Sequence, residues 1–334
     1  MAEKEKFVVI GSNSFSGACF SDYVLQNNSS AEILGISRSP EYNDCFLPYK
    51  QSAMGRFSFH LLDLNKDLEK MVAVISEFCP DYIINFSAQG MVGQSWEQPG
   101  QWFQTNCLGI MGLVHELKEC AYLKRYVQIS SPEVYGSCSG KIKENAPLNP
   151  STPYAASKAS GDLSLIPYFK NYGFPLVYTR ATNVYGAYQQ LYRIIPRTIL
   201  YAKMGRKIQL QGGGKAVKSY IHIQDVSNAT LKIARGGTSG EVYHISPKGE
   251  GISIYDLVAK IVTRLGKKAD DCIEIVEDRK GQDAAYVIDS SKVRSELEWT
   301  EQISLDEGLD KVIAWVEKHY EELVHLPHKY IHKP

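Results

Sequence analysis

Short β-rich runs alternate with longer segments of helical period along the first half of this chain, and no other feature restricts its fold as much. Lys6–Ile10 (KFVVI), Glu32–Ile36 (EILGI), Phe57–Leu62, Tyr82–Phe86 (YIINF), Arg125–Ser130 (RYVQIS) and Leu176–Thr179 read as strands. Between them, Leu68–Phe78 and Asn106–Cys120 repeat apolar residues at helical spacing. Strands that alternate with helices imply right-handed crossovers and a parallel sheet with helices on both faces. Continuously apolar strands such as YIINF fit a sheet buried on both sides. The expected fold is therefore α/β, a doubly wound parallel sheet. After about Gly186 the rhythm changes to isolated helices (Leu191–Met204, Ile254–Leu265), short strands and glycine-rich loops (Gly212–Gly214, Gly236–Gly240). Residues 1–185 are expected to form the first domain, with 222–240 packing back on it. Residues 186–334 should form a smaller, mixed α/β domain. No repeat or low-complexity linker separates the two, so a cleft between them is the expected ligand site.

Length and charge narrow the function. At roughly 150 residues per domain, 334 residues are enough for two domains and a large core. Lys+Arg and Asp+Glu both number 37, so no global positive field draws the chain to nucleic acid or an anionic membrane. No apolar run approaches the ~18 residues of a membrane-spanning helix, and MAEKEKFVVIG leaves no room for a signal peptide. Seven cysteines without C-x-x-C spacing argue against a disulfide framework or zinc site. They read as small buried hydrophobes of a reducing cytoplasm, and no metal site is expected.

The first strand enters Gly11-Ser12-Asn13-Ser14-Phe15-Ser16-Gly17, and then a helix begins. Small residues there let the backbone approach a pyrophosphate whose charge rests on the helix N-terminus, as in Rossmann-type dinucleotide sites. Ser14 stands where the middle glycine of that fingerprint is expected, and a glycine-rich turn without ligand has the same look. The second strand ends in Gly35-Ile36-Ser37-Arg38-Ser39, with no acid for the adenosine ribose hydroxyls of NAD and an arginine where a 2′-phosphate needs a partner. NADP(H) is therefore expected, with NAD(H) the alternative; a solvated surface arginine is the competing reading of Arg38. Asp63-Leu64 would lie near the adenine, unless Asp63 only caps a helix.

Tyr154-Ala155-Ala156-Ser157-Lys158 puts a phenol and an ammonium one helical turn apart. A nearby ammonium favours the phenolate, which then accepts a hydroxyl proton at neutral pH. Ile129-Ser130-Ser131-Pro132-Glu133 precedes it by one loop, and Ser131 is suited to hydrogen-bond the reacting hydroxyl.

With these residues the sequence resembles the extended short-chain dehydrogenase/reductase family, in particular its nucleotide-sugar 4,6-dehydratases. The resemblance covers nearly the whole chain. It includes Asn85-Phe86-Ser87-Ala88-Gln89, Trp96-Glu97-Gln98-Pro99, Thr105-Asn106, Glu144-Asn145-Ala146-Pro147, Arg180-Ala181-Thr182-Asn183-Val184-Tyr185-Gly186, Ile195-Pro196, Val217-Lys218-Ser219-Tyr220-Ile221-His222 and Asp278-Arg279-Lys280-Gly281-Gln282-Asp283. AQGMVGQSWEQP and GISRS look most like the GDP-mannose branch, which uses NADP; the dTDP-glucose branch is also similar.

The resemblance implies Ser131, Tyr154 and Lys158 as catalytic residues, with Glu133 as the base specific to dehydration. It implies a cofactor site of Gly11, Asn13, Ser14, Phe15, Gly17, Ser37, Arg38, Asp63, Leu64, Phe86, Ser87, Ala88, Gln89, Asn106, Ser130, Tyr154 and Lys158. For substrate it implies Gln89, Ser131, Pro132, Glu133, Asn183, Arg193, Lys218 and Arg279. Hexose dehydratases often carry Thr-Asp-Glu where this chain has Ser131-Pro132-Glu133; proline donates no proton, so the acid is left to Glu133, Ser131 or water. Lys218 stands where the family usually has arginine. Trp96, Tyr185 and Tyr220 read as sugar or base contacts or as core aromatics. The implied activity makes an NDP-4-keto-6-deoxyhexose with a tightly bound, recycled dinucleotide. The implied assembly is a homodimer through a four-helix bundle of Asn106–Cys120 and Tyr154–Lys170. A 4-epimerase or a uronic acid decarboxylase of the same family is the enzymatic alternative, and a nucleotide-sugar or NADP(H) sensor the non-enzymatic one.

Overall fold

The computed structural model describes residues 4–138, 140–277 and 287–333. Along β1 (Lys6–Ile10) Phe7 and Val9 belong to one apolar cluster, Val8 and Ile10 to another. The same division continues through β2 (Glu32–Ser37), where Ile33 joins the first cluster and Leu34 and Ile36 the second. Each strand therefore buries both faces, which is why no polar alternation marks it. With β3 (Phe57–Leu61), β4 (Tyr82–Asn85), β5 (Arg125–Ile129), β6 (Leu176–Ala181) and β7 (Val242–Ile245), these strands form one seven-stranded parallel sheet. Its order is β7-β6-β5-β4-β1-β2-β3, so the winding reverses between β1 and β4. That reversal opens a crevice at the carboxyl ends of the strands, where ligands of such sheets bind.

One face is covered by α1 (Phe15–Asn27) and α6 (Ile223–Gly236), which pack on each other. The other is covered by α2 (Leu68–Phe78), α3 (Ile110–Leu117) and α4 (Pro153–Tyr172) through Met71, Ile75, Leu113 and Leu165. A further cluster lies beyond the sheet, where Ile195 and Ile199 of α5 (Ile194–Lys203) meet α7 (Ile254–Arg264) and α8 (Leu305–Lys318). Trp315 of α8 donates to the carbonyl of Cys45 at 3.0 Å, tying this layer to the first half. Among the described residues, no helix is long and apolar enough to cross a membrane.

Where elements differ from the sequence reading, local contacts explain it. Strands β3, β4 and β5 each stop one residue early, before Leu62, Phe86 and Ser130, and β6 runs on to Ala181 as β7 pairs with it. The segment Asn106–Cys120 is not one helix: Gln104–Gly109 is a wide, π-type turn that leads into α3. Helix α5 starts at Ile194, because Arg193 keeps an extended backbone as its cap.

Candidate active site

The turn after β1 is shaped by two backbone approaches. A side chain on Gly11, whose φ is +82°, would meet the Phe86 carbonyl carbon at 2.9 Å, and one on Gly17 would meet the Gly11 oxygen at 2.3 Å. Only glycine fits either position. Ser14 caps α1, its Oγ accepting from the Gly17 amide at 3.0 Å, so the serine in place of glycine closes the helix end. The first turn of α1 carries no acidic residue. Asn13 donates to the carbonyls of Ser39 and Pro40 (2.8 and 2.9 Å), while its buried Oδ1 has no hydrogen-bond partner. An unpartnered buried polar atom beside a positive helix end without an acidic residue in its first turn fits a phosphate-bearing ligand with its own donors. Phe15 packs into the core behind the turn.

Ser37 faces inward, its Oγ accepting from the Asn13 amide at 2.9 Å. Arg38 projects across the crevice, and its Nη2 donates to the Lys333 carbonyl at 2.9 Å. Asp63 caps a turn: its carboxylate accepts from the Asn65 amide, and Leu64 is buried in the core. After β4, Ser87 turns back onto Asn85 Oδ1, Phe86 is half-buried and Ala88 exposed. Gln89 and Asn106 bracket each other: Asn106 Oδ1 accepts from the Gln89 amide (2.9 Å), and its Nδ2 donates to the Gln89 carbonyl (3.0 Å). The same Nδ2 donates to Ser157 on α4. The wide turn comes that close because a side chain on Gly161 would sit 2.0 Å from the Asn106 oxygen.

Helix α4 starts with Thr152 as its cap and Pro153 at its first position, which places Tyr154 on the first turn. Ser131 caps a short 3-10 turn, Pro132–Tyr135, and also hydrogen-bonds the Tyr154 phenol. Burial first, then the Glu133 carboxylate, push the phenol's pKa up; the Ser131 hydrogen bond and Arg193 oppose them. Arg193 is one cation that favours the phenolate. Lys158, one helical turn on, donates to the Ile129 carbonyl at 2.7 Å, and burial lowers its pKa to about 8. Ser131, Glu133 and Arg193 therefore all act on the Tyr154 phenol, and Lys158 follows one helical turn on.

Beneath them lies a buried network that the motifs did not reveal. Asp162, one turn after Lys158, accepts from Ser130 Oγ (2.5 Å) and from Arg180 Nη2 (2.8 Å). Arg180 also donates to the Tyr135 hydroxyl, which lies 2.7 Å from His244 Nε2. Burial and Arg180 push the His244 imidazole down to about 3, so it is neutral. Its Nδ1 lies 3.2 Å from the Asp289 carbonyl and so carries the proton, leaving Nε2 to accept from Tyr135. The i, i+4 spacing of Lys158 and Asp162 was the available signal.

Asn183 lies on a strand of the second half and donates to the Ser219 carbonyl at 3.1 Å. Lys218 sits on the short strand Val217–Lys218. Arg279 lies outside the described residues. Tyr185 is fully buried and Tyr220 half-buried beside it, whereas Trp96 is 59% exposed and belongs to no core. A separate groove of about 480 Å³ is lined by Tyr23, Gln26, Asn228 and Gln302 among others, and by none of these candidates.

The profile of the GDP-mannose 4,6 dehydratase family matches residues 8–312. The chain is 27% identical over 332 residues to a dTDP-glucose 4,6-dehydratase of Neisseria meningitidis serogroup B, covering 93% of this chain and 92% of that one. It is 34% identical over 241 residues to a dTDP-glucose 4,6-dehydratase of Streptomyces griseus, 72% of each. Among solved structures, a dTDP-glucose 4,6-dehydratase from Streptomyces venezuelae with NAD and TYD bound superposes with a TM-score of 0.87 at 28% identity, over 95% of this chain and 98% of that one. A UDP-glucuronic acid 4-epimerase from Bacillus cereus, bound to UDP-glucuronic acid and NAD, gives 0.84 at 25% identity, over 94% and 100%.

Proposed function

The chain belongs to the GDP-mannose 4,6-dehydratase family, and on that premise we infer that it is a nucleotide-sugar 4,6-dehydratase, an enzyme of deoxysugar formation. Its substrate is a nucleoside-diphosphate hexose and its product the 4-keto-6-deoxy derivative. The observation that supports this reading over the epimerase is the carboxylate of Glu133 set against Tyr154, with Ser131 hydrogen-bonded to the phenol. Oxidation at C4 needs the phenol and the serine. Removal of a C5 proton needs a further base, and an epimerase has no such step.

The bound dinucleotide supplies the hydride acceptor for C4 and the hydride donor for C6. Tyr154 accepts the C4 hydroxyl proton, and Ser131 orients that hydroxyl. Glu133 removes the C5 proton, which the new ketone has acidified, and water departs from C6. With Pro132 between them, the acid for that departure is Glu133 in its protonated form, Ser131 or water. Arg193, close enough to act on the phenol, is suited to hold the diphosphate next to the sugar. Residues 1–185 with 222–240, extended by the sheet strand β7 (Val242–Ile245), carry the dinucleotide, and the rest of 186–334 the nucleotide sugar. Gly11, Asn13, Gly17 and the N-terminus of α1 receive the pyrophosphate. Arg38 receives a 2′-phosphate, so NADP(H) is the expected dinucleotide even though the solved relatives named above hold NAD. Leu108 and Leu163, half-exposed on the wide turn and on α4, are suited to a homodimer packed through these helices.

Glu133→Gln tests the assignment. The variant should bind substrate and let hydride leave C4, then stall with reduced dinucleotide and a 4-keto-hexose in the site. Tyr154→Phe should show no reduced dinucleotide. Wild-type product formed in deuterated water should carry deuterium at C5. Near wild-type turnover by Glu133→Gln on its own substrate would overturn the dehydratase.

A further inference from the structure

Residues Pro327–Lys333 cross the crevice from the second half to the first. His328 is anchored in the second half: its Nε2 lies 3.0 Å from the Leu323 carbonyl, and its ring lies beside Tyr201. Tyr330 stands edge-on to Tyr192, with ring centroids 5.3 Å apart, next to Arg193. His332 then lies flat on Trp102, at 5.2 Å and 8° between planes, with Nε2 2.6 Å from Gln101 Oε1. That contact puts the proton on Nε2, and Nδ1, 3.2 Å away, accepts from the Tyr330 hydroxyl. The carbonyl of Lys333 ends the run. It accepts from Arg38 Nη2 and from Gln89 Nε2, each at 2.9 Å.

The two donors come from opposite sides of the glycine turn. Arg38 follows β2 and Gln89 follows β4, and these strands flank β1 in the sheet. One oxygen held by both must lie over the end of β1, across the crevice at the point of reversed winding. We propose that Tyr330–Lys333 is a strap that competes with the dinucleotide for Arg38 and Gln89, the Lys333 carbonyl standing where an oxygen of the dinucleotide is received. This rests on the dinucleotide reading of Arg38 given above. A neutral carbonyl is a weaker partner for a guanidinium than a phosphate, which offers charge and a second oxygen. The phosphate therefore displaces the strap, and a free strap slows its entry.

The test compares NADP binding, followed by stopped flow and calorimetry, in three proteins: the full chain, a chain shortened after Lys329, and His332→Ala. The last loosens the Trp102 anchor and keeps the full length, so it stands in if shortening harms folding. Loss of two competing hydrogen bonds should tighten NADP binding about tenfold or more in the shortened chain, with faster association, and by less in His332→Ala. In the full chain, NADP should speed hydrogen exchange at the amides of Ile331–Lys333. Unchanged or weaker binding in both variants, or slower exchange at those amides, would overturn the competition and make the segment a clasp over bound ligand. If none of the three proteins binds NADP or NAD, the dinucleotide reading itself falls; if all bind equally, only the strap does.

Discussion

Lys158 meets opposing influences: burial drives its proton off, the Asp162 carboxylate holds it on, and the Arg180 guanidinium works against it. The outcome is a pKa lowered to about 8 from the ordinary 10.5. Between those values the unfolded chain binds more protons than the folded one, so this group's contribution to stability rises with pH across that window. Urea unfolding of wild type and Lys158→Met from pH 7 to 10 should show the difference moving in favour of wild type, and a flat difference would reject the assigned shift. The proposed preference for NADP(H) rests on Arg38. Arg38→Ala should weaken NADP binding by about 1–3 kcal/mol, as for loss of a charge-assisted hydrogen bond, and leave NAD nearly unchanged. The comparison is cleanest after shortening at Lys329, since Arg38 also holds the strap; equal loss for both dinucleotides would show that Arg38 does not read the phosphate.

Helix α4 carries the proposed catalytic residues Tyr154 and Lys158, and its worth to the fold is concentrated in the buried pair of Asp162 and Arg180, each about 4% exposed. Asp162→Asn leaves a buried guanidinium uncompensated and should cost about 3–5 kcal/mol in urea unfolding. The double change Asp162→Leu with Arg180→Met removes both charges and should recover much of that loss; a double variant as unstable as the single would show that the pair is not the cause. How far such elements can be read from sequence depends on where their partners lie. β1 and α2 are bounded as their apolar periods predict, because their own residues decide the pattern. The site motifs were legible for the same reason: the glycine turn, Ser131-Pro132-Glu133 and Tyr154 through Lys158 are each local. The partners of Asp162 were not, since Ser130 and Arg180 reach it only once β5 and β6 lie side by side. The wide turn at Gln104–Gly109 was equally hidden, because it depends on the close approach of Gly161 from α4. Arg38 was legible as a cation without an acid beside it, yet its partner, the Lys333 carbonyl, carries no signature in the local sequence.

At the scale of the molecule, two halves face one crevice, and α4 stands between that crevice and the outer surface. Its inner side holds Ile129 through Lys158 and Ser130 through Asp162. Its outer side shows Leu163, 54% exposed, next to Asp162 in sequence, and Leu108 of the contacting wide turn is 50% exposed. Light scattering at micromolar concentration should give twice the chain mass, and Leu163→Glu should give the single chain; wild-type protein that scatters as a single chain would refute the dimer. In the proposed homodimer, a contact on Leu163 would lie one residue from Asp162, which with Lys158 holds two consecutive residues, Ile129 and Ser130, through side-chain hydrogen bonds. Turnover per subunit should accordingly fall when the protein is diluted below its association constant, and return when it is concentrated, even though each subunit holds every group the chemistry requires.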